Sequence, residues 1–316
     1  MIISLILLIV GFLILTFGAE FMVRGSSAIA LKLGISPLLI GLTIVAMGTS
    51  APELAVSIES ALTGRSSIAL GNVVGSNIAN IGLILGLTAL ISTIALDLRL
   101  IKKQIPMLIG ASILTWVLLL DQMLSTLDGL LLATGFFAFL YYSYLQARQD
   151  QASASLVTAN PVIVPSNRPV WLHAALTLFG LGLLIYGSTL FVESAVDIAV
   201  HIGISEAVIG LTIVAIGTSI PELATSLVAA WRRESDIAVG NIIGSNLFNI
   251  LGILGITAVV RPVNGAEFNS VDFMVMVGYA VILLPFALTG LKISRLEGSI
   301  LLAGYLLYMG YLVFAR

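Results

Sequence analysis

The chain has 316 residues, of which 59% are hydrophobic and 9% are charged, and its mean hydropathy is +1.13. A soluble domain carries roughly a quarter of charged residues, so this composition indicates an integral membrane protein embedded in a lipid bilayer. The net charge of -2 argues against a nucleic-acid partner, and the absence of cysteine with only two histidines excludes disulfides and thiolate metal sites. We expect no enzymatic activity, no cofactor and no obligate protein partner.

Apolar segments of about 20 residues, long enough to cross about 30 Å of hydrocarbon, recur along the chain. The opening segment is expected to be a first span and not a signal peptide, because it lacks a basic start and a cleavage site. We predict an all-α protein with ten spans, near residues 2–24, 35–63, 67–94, 101–120, 126–146, 171–193, 204–231, 236–260, 270–290 and 296–315.

The second predicted span contains the motif GlyThrSerAlaProGlu at residues 48–53. Proline lacks an N–H and clashes with the carbonyl four residues earlier, so Pro52 should break the helix and free carbonyls near Thr49. Such backbone is tolerated within a membrane where it lines a cavity, here beside Ser50 and Glu53. A carboxylate at this depth costs roughly 2.5 to 3.5 kcal/mol, and no basic residue in the helix pairs with it. Glu53 is therefore predicted to be functional.

The third predicted span contains the sequence GlyAsnValValGlySerAsnIleAlaAsn at residues 71–80. Asn72, Ser76 and Asn80 are four residues apart, so they share one stripe of a helix that can face the opposing broken helix. Cation coordination is favoured for Ser76 and Asn80. For Asn72 and its counterpart Asn241, a ladder that holds helices together, at about 0.6 kcal/mol per contact, stays open as the alternative.

Residues 147–169 separate two halves of the chain. This stretch is rich in Ser, Asn and Pro, which is typical of a linker and not of a folded domain. We expect one integrated membrane domain made of a first five-helix repeat at 1–146, this cytoplasmic linker, and a second repeat at 170–316.

Residues 204–263 repeat residues 35–94 without gaps, with about 33 of 60 positions identical. The same shift of 169 residues aligns SerThrLeuAspGly at 125–129 with SerArgLeuGluGly at 294–298. Because five spans are an odd number, the second copy should enter the membrane from the opposite side, giving inverted-topology halves with a site between them near mid-depth.

The second copy supplies a matching set of candidate groups, with Pro221 as its predicted break. These groups are Thr218, Ser219, Glu222, Ser245 and Asn249. Helix packing is the favoured role for Thr43, Thr212, Ser57 and Ser226. Anchoring of helix ends at the interface is the favoured role for Glu20, Glu193 and Asp197.

Basic residues are distributed unevenly between the two predicted faces of the membrane. Eleven of the 14 fall on one face, and only Arg65, Arg261 and Arg316 fall on the other. The positive-inside rule makes the first face cytoplasmic, so both termini are predicted to lie outside the cell, in the plasma or inner membrane.

At these motifs the chain resembles the sodium/calcium exchangers of the cation/calcium antiporter superfamily, whose paired α-repeats carry a GTSxPE and a GNxxGSNxxN-like signature. The resemblance covers the whole chain. It implies that Glu53 and Glu222 are central carboxylates shared by Ca²⁺ and Na⁺. It implies further ligands, which are the hydroxyls of Thr49, Ser50, Ser76, Thr218, Ser219 and Ser245, the carbonyls of Ala46 and Ala215, and the amides of Asn80 and Asn249.

Some members of that superfamily have an aspartate where Asn249 stands, which is associated with K⁺ in the potassium-dependent branch. The asparagine here therefore argues against K⁺ cotransport.

The leading hypothesis is secondary active exchange of Na⁺ for Ca²⁺ by alternating access, because two fixed negative charges are balanced by one Ca²⁺ or by two Na⁺. The nearest alternative is H⁺/Ca²⁺ antiport, in which the two glutamates alternate between protonated and metal-bound states. A cation channel or a membrane scaffold is disfavoured by the inverted duplication around an acid pair.

Overall fold

The structure, a computed structural model, describes residues 2–156, 169–202 and 215–314. The helices are α1 (Ile2–Leu33), α2 (Pro37–Thr49), α3 (Ala51–Leu62), α4 (Ser66–Ile91), α5 (Leu100–Leu118), α6 (Thr126–Leu156), α7 (Val170–His201), α8 (Ala215–Gly217), α9 (Ile220–Trp231), α10 (Ser235–Val260), α11 (Ser270–Leu288) and α12 (Arg295–Phe314). The strands are β1 (Ile94–Ala95), β2 (Met123–Leu124), β3 (Val263–Asn264) and β4 (Lys292–Ile293).

Eight helices of the described ranges are long and apolar enough to cross a membrane, namely α1, α4, α5, α6, α7, α10, α11 and α12. α2 and α3 pass the same test together, and they count as a ninth if the bent pair is one span. The predicted span at 204–231 is described only from residue 215 onward, as α8 and α9, and its start lies outside the described residues. The described part of the chain is therefore all-helical in class, with four very short strands.

Both predicted helix breaks are present. α2 and α3 meet at an angle of 46° around Ser50, whose φ of -84° and ψ of 12° leave the helical region. Ser219 has nearly the same backbone angles, -90° and 7°, between α8 and α9. Pro52 and Pro221 each lie in the first turn of the helix that follows the break, where the missing N–H has no intrahelical partner to lose.

Three helices run further than the hydropathy pattern predicted. α1 continues to Leu33 and α7 to His201, about two turns past the expected ends at 24 and 193. α6 continues to Leu156, so the linker predicted at 147–169 begins inside a helix. Gln, Ala and Arg are good helix formers, and they carry α6 past its apolar part. Residues 157–168 of the predicted linker lie outside the described residues.

α4 and α10 form the centre of the protein. Within the most apolar window of each helix, 72% of α4 and 89% of α10 is buried, compared with 17% for α12. α1, α6, α7 and α12 expose large apolar side chains such as Phe12, Phe137 and Leu307. Because a soluble protein rarely exposes so much apolar surface, these faces are suited to contact with lipid.

α1 and α7 cross at very short distance through paired glycines. A Cβ atom on Gly180 would lie 2.5 Å from the backbone nitrogen of Met22, and one on Gly18 would lie 2.7 Å from that of Leu184. Small residues allow backbones to approach in this way in membrane helices. Gly18 and Gly187, which the shift of 169 residues relates to each other, both lie on this contact.

Two short antiparallel strand pairs join the copies of the repeat. β1 pairs with β4, with Ile94 opposite Ile293, and β2 pairs with β3, with Leu124 opposite Val263. The shift of 169 residues relates β1 to β3 and β2 to β4, so the first strand pair is the repeat counterpart of the second. These pairs were not predicted, because strands of two residues leave no period in a sequence.

Candidate ion-binding site

Glu53 and Glu222 lie together in the interior, and each carboxylate accepts a hydrogen bond from the serine at the helix break of the other copy. Their side chains are 1% and 0% exposed, and their carboxylates interact electrostatically. The Ser50 hydroxyl donates to Glu222 Oε1 at 2.7 Å, and the Ser219 hydroxyl donates to Glu53 Oε1 at 3.1 Å. The second oxygen of each carboxylate has no hydrogen-bond partner among the described residues. The breaks thus place two acceptor-rich carboxylates in one buried polar site.

Two further serines reach the same site from the central helices. Ser76 Oγ on α4 lies 3.3 Å from Ser219 Oγ and can donate to it, because the Ser219 proton is given to Glu53, and Ser245 on α10 donates to the Ala46 carbonyl at 3.5 Å. Both serines are buried. Each therefore faces the broken helix of the other copy, as the four-residue spacing predicted.

The broken helices also bring their threonines to the carboxylates. Thr49 and Ser245 lie beside the Glu222 carboxylate, and Thr218 lies beside that of Glu53. The Ala46 carbonyl also lies near the Glu222 carboxylate, since it accepts a hydrogen bond from Ser245. Ala215 opens the described helix α8, and its part in the site stays a prediction.

Asn80 and Asn249 occupy wide π-helical turns in the middle of α4 and α10, at Asn80–Leu85 and Phe248–Leu254. Both side chains are buried. Asn80 Nδ2 donates to Asn246 Oδ1 at 3.3 Å, while Asn80 Oδ1 and both amide atoms of Asn249 lack partners among the described residues. A single widened turn is frequent at functional sites in helices, and neither turn was predicted.

Asn72 and Asn241 each bond to the backbone of a glutamate and to a threonine of the other copy. Asn241 Nδ2 donates to the Glu222 backbone carbonyl at 3.5 Å and to Ser226 Oγ at 3.2 Å, and its Oδ1 accepts from Thr49 at 3.0 Å. Asn72 repeats the arrangement around the other glutamate. Its Nδ2 donates to the Glu53 carbonyl and to Ser57 Oγ, each at 3.0 Å, and its Oδ1 accepts from Thr218 at 3.3 Å.

The residues predicted to serve packing do so where they are described. Ser57 and Ser226 are buried partners of the two asparagines, and Thr43 donates to the carbonyl of Leu39 one turn earlier at 2.6 Å. Thr212 lies outside the described residues.

The acids predicted to anchor helix ends lie away from the carboxylate pair. Glu20 pairs with Arg24 at 2.6 Å and with Arg232, which links α1 to the end of α9. Asp197 accepts from Ser4 and pairs with His201. Glu59 is exposed on α3, facing away from Glu53.

A cleft of about 260 Å³ leads toward the site between α7 and the two breaks. Pro52, Ser188, Glu193 and Thr218 are among its lining residues, and Glu193 is exposed at its rim. Thr218 is half-buried, whereas its repeat counterpart Thr49 is 0% exposed. The cleft therefore extends to Thr218, next to the Glu53 carboxylate, while both carboxylates stay buried.

The chemistry of the site is that of a hard-cation site with two charges. Within the described ranges, no three His, Cys, Asp or Glu side chains cluster as a conventional metal site. The ligands available are carboxylate, hydroxyl, amide and carbonyl oxygens, which suit hard cations. Such a set of oxygens is suited to a hard cation whose charge balances the two carboxylates.

Comparison with known proteins agrees with this geometry. A family model described as "Sodium/calcium exchanger protein" matches residues 3–145 and 172–314. "Putative antiporter CaxA" of Alkalimonas amylolytica is 42% identical over the full length of both chains. "Sodium/calcium exchanger MaX1" of Methanosarcina acetivorans is 33% identical over 97% of each chain, and "Inner membrane protein YrbG" of Escherichia coli is 35% identical over 99% of this chain and 97% of its own.

A solved structure of the sodium-calcium exchanger NCX_Mj, soaked with Na⁺ and Sr²⁺, shares the fold. It covers 98% of each chain at 34% sequence identity, with a TM-score of 0.84. The family model covers nearly the whole chain, and both sequence and fold agree over full length. The chain therefore belongs to the sodium/calcium exchanger family of multi-pass membrane antiporters.

Proposed function

We propose that this protein exchanges Na⁺ for Ca²⁺ at one shared site. The crosswise pairing of Ser50 with Glu222 and of Ser219 with Glu53 is the observation that carries the proposal, because it makes one buried site from both copies of the repeat. MaX1 and NCX_Mj, both named as sodium/calcium exchangers, support the same ion pair.

Charge balance gives the exchange its physical basis. Two carboxylates are neutralised by one Ca²⁺ or by two Na⁺, and Ca²⁺ takes six to eight oxygens, which the neighbouring neutral groups supply. Glu222 acts with Ala46, Thr49, Ser50 and Ser245, and Glu53 acts with the matching set. That set is Ala215, Thr218, Ser219 and Ser76. Asn80 and Asn249 complete the middle of the site. Occupancy by one ion type excludes the other, so transport is coupled.

We further propose ten spans arranged as two inverted halves, with both termini outside the cell membrane. The gapless repeat, its odd number of predicted spans and the basic residues on one face support this topology. α1 and α7 then move across the site to expose it alternately to each side. The protein acts as a transporter and not as an enzyme, without a cofactor or an obligate protein partner.

H⁺/Ca²⁺ antiport is the second candidate. Two protons neutralise the same two carboxylates, and the Oε2 atoms of Glu53 and Glu222 have no partner among the described residues that would prevent protonation. This candidate uses the same site and differs only in the driving ion.

Calcium uptake into proteoliposomes tests both candidates. Purified protein is reconstituted, and ⁴⁵Ca²⁺ uptake is measured under an outward Na⁺ gradient, under a pH gradient and under neither. We expect uptake under the Na⁺ gradient alone. Uptake under the pH gradient alone would show that the protein exchanges H⁺ and not Na⁺ for Ca²⁺. Equal uptake under all three conditions would indicate a channel or a leak and would contradict exchange.

A further inference from the structure

Asn72 and Asn241 occupy equivalent positions of the repeat next to the two glutamates, and each forms hydrogen bonds with both copies. Asn241 joins the backbone of Glu222 to the hydroxyl of Thr49, and Asn72 joins the backbone of Glu53 to the hydroxyl of Thr218. Asn241 is 0% exposed. The oxygen of each amide accepts a hydrogen bond from a threonine of the other copy.

The hydrogen bonds fix which way each amide points. A backbone carbonyl only accepts, so the Nδ2 atom of Asn241 must face the Glu222 carbonyl, and its Oδ1 atom must face Thr49. The Thr49 hydroxyl therefore gives its single proton to Asn241. Its lone pairs are left for another partner, which in this site is a cation.

A second acceptor lies within reach of the same hydroxyl. The Ala46 carbonyl is 3.3 Å from Thr49 Oγ1, compared with 3.0 Å for Asn241 Oδ1. Without Asn241, the Thr49 hydroxyl would donate its proton to the Ala46 carbonyl instead. That hydrogen bond would occupy a lone pair of the carbonyl oxygen that is otherwise available to an ion. One amide thus keeps two candidate ligand oxygens available.

We propose that Asn72 and Asn241 are positioning residues that set Na⁺ affinity by holding the threonine protons away from the ion. The inference rests on the proposed Na⁺/Ca²⁺ exchange. A monovalent ion beside one carboxylate depends on the neutral oxygens around it. Ca²⁺ draws on both carboxylates together, and its double charge makes that attraction dominant. Loss of threonine orientation therefore weakens Na⁺ binding more than Ca²⁺ binding.

The competing role for these asparagines is helix packing. Buried amides hold membrane helices together without regard to the bound ion. A packing role would change stability and affect both ions to the same extent. The ratio of the Na⁺ effect to the Ca²⁺ effect separates the two roles.

The test measures the two half-saturation concentrations separately in proteoliposomes. Na⁺ half-saturation comes from Na⁺-driven ⁴⁵Ca²⁺ flux, and Ca²⁺ half-saturation comes from Ca²⁺/Ca²⁺ exchange without Na⁺. We expect Asn241→Ala to raise the Na⁺ value about tenfold, which equals about 1.4 kcal/mol, and to change the Ca²⁺ value by less than about threefold. Equal shifts for both ions, or no shift, would overturn the proposal.

A double-mutant cycle tests whether Asn241 acts through Thr49. In a Thr49→Ala background, Asn241→Ala should add no further loss of Na⁺ affinity, because the hydroxyl that it orients is gone. Additive losses would show that the asparagine acts independently of the threonine and would overturn the proposal.

Asn77→Ala is the matched control. Asn77 lies on α4 with Asn72 and is buried, but its Nδ2 bonds within its own helix, to Val73 O at 2.7 Å. We expect it to leave the ratio of the two half-saturation values unchanged. If Asn241→Ala does not fold, the half-buried Asn72→Ala answers the same question in the other copy. Absent Na⁺-driven flux in the wild-type protein would instead refute the proposed function, which distinguishes the two failures.

Discussion

Glu53 and Glu222 each depend on a hydroxyl from the opposite copy of the repeat. Ser219 donates to Glu53 and Ser50 donates to Glu222, and each of these serines lies three residues before the other glutamate. A change at one glutamate therefore affects a group that is bonded to the other. This interlocking explains why a site built from two matching motifs should behave as one unit.

Replacing either acid with glutamine should abolish both ion fluxes. Glu53→Gln or Glu222→Gln keeps the size of the side chain but leaves one negative charge, which cannot balance Ca²⁺ or two Na⁺. We expect Na⁺-driven and Ca²⁺/Ca²⁺ exchange to fall to the level of protein-free vesicles in ⁴⁵Ca²⁺ flux assays. Glu59→Gln, an exposed acid on the same helix as Glu53, is the control and should transport normally. Retention of either flux in a glutamine variant would contradict a shared site.

Much of the residue-scale site could be predicted from the two motifs, because a carboxylate beside a proline break in an apolar span is too costly to be kept without a function. The roles of Asn72 and Asn241 could not. Their partners are a backbone carbonyl in one copy and a threonine in the other, and sequence spacing within one helix does not reveal such a cross-copy bond.

At the scale of helices, α1 and α7, the two spans proposed to move, are in close backbone contact through their glycines. Gly180→Ala should separate them, because its Cβ would lie 2.5 Å from Met22 N and 2.7 Å from Gly18 O, both backbone atoms that cannot rotate away. Overpacking of this kind costs about 1 to 3 kcal/mol. We expect a lower melting temperature in detergent and slower transport.

Gly182→Ala provides the comparison for that change. Gly182 lies on the same helix, and no described atom lies within 4 Å of its added Cβ. It should keep the melting temperature and the transport rate of the wild-type protein. Equal effects of the two substitutions would mean that the contact between α1 and α7 is not what Gly180 provides.

The ion pair between Glu20 and Arg232 links α1 to the end of α9. In the repeat, Thr189 replaces Glu20 and Thr63 replaces Arg232, so the other copy has no equivalent of this pair. Since Thr49 is 0% exposed whereas Thr218 is half-buried, we expect this ion pair to favour a state that is closed on the Thr49 side. Glu20→Gln should increase opening there, by up to about fivefold because a partly exposed ion pair contributes at most about 1 kcal/mol.

Thiol labelling measures this opening, because the chain contains no cysteine. Thr225→Cys places a reporter at a position on α9 that is 0% exposed, and Ser188→Cys places one in the cleft. With Glu20→Gln, the rate of labelling should rise at position 225 and fall at position 188. Unchanged rates at both would show that the ion pair does not influence which side is open.

For the molecule as a whole, a third Na⁺ held by the neutral oxygens of the site would make the exchange three Na⁺ for one Ca²⁺ and would move one net charge per cycle. A potential then contributes about 2.3 kcal/mol per 100 mV. During Ca²⁺ uptake driven by internal Na⁺, an inside-positive potential should accelerate uptake and an inside-negative potential should slow it. Valinomycin with K⁺ gradients of either sign sets the potential, and ⁴⁵Ca²⁺ uptake reports the rate. No response to potential would indicate exchange of two Na⁺ for one Ca²⁺.

At this scale the sequence predicts the class of the protein and its duplication well, since hydropathy and repeats are properties of long segments. The prediction is weaker at helix ends, where α1, α6 and α7 extend beyond their apolar cores. The π-helical turns at Asn80 and Asn249 and the paired strands depend on contacts between distant residues. They therefore leave no local pattern from which they could be predicted.

The crosswise bonding of the two glutamates bears on how the chain is assembled during synthesis. When α1 to α6 have left the ribosome, the serine that donates to Glu53 has not yet been translated, and β1 and β2 lack the strands with which they pair. A carboxylate in lipid without its partners is costly, so we expect this intermediate to be less stable than the complete protein. Maturation is complete only when the last spans arrive, and a fragment ending before Ser219 should be degraded in the cell unless the missing half is supplied alongside it.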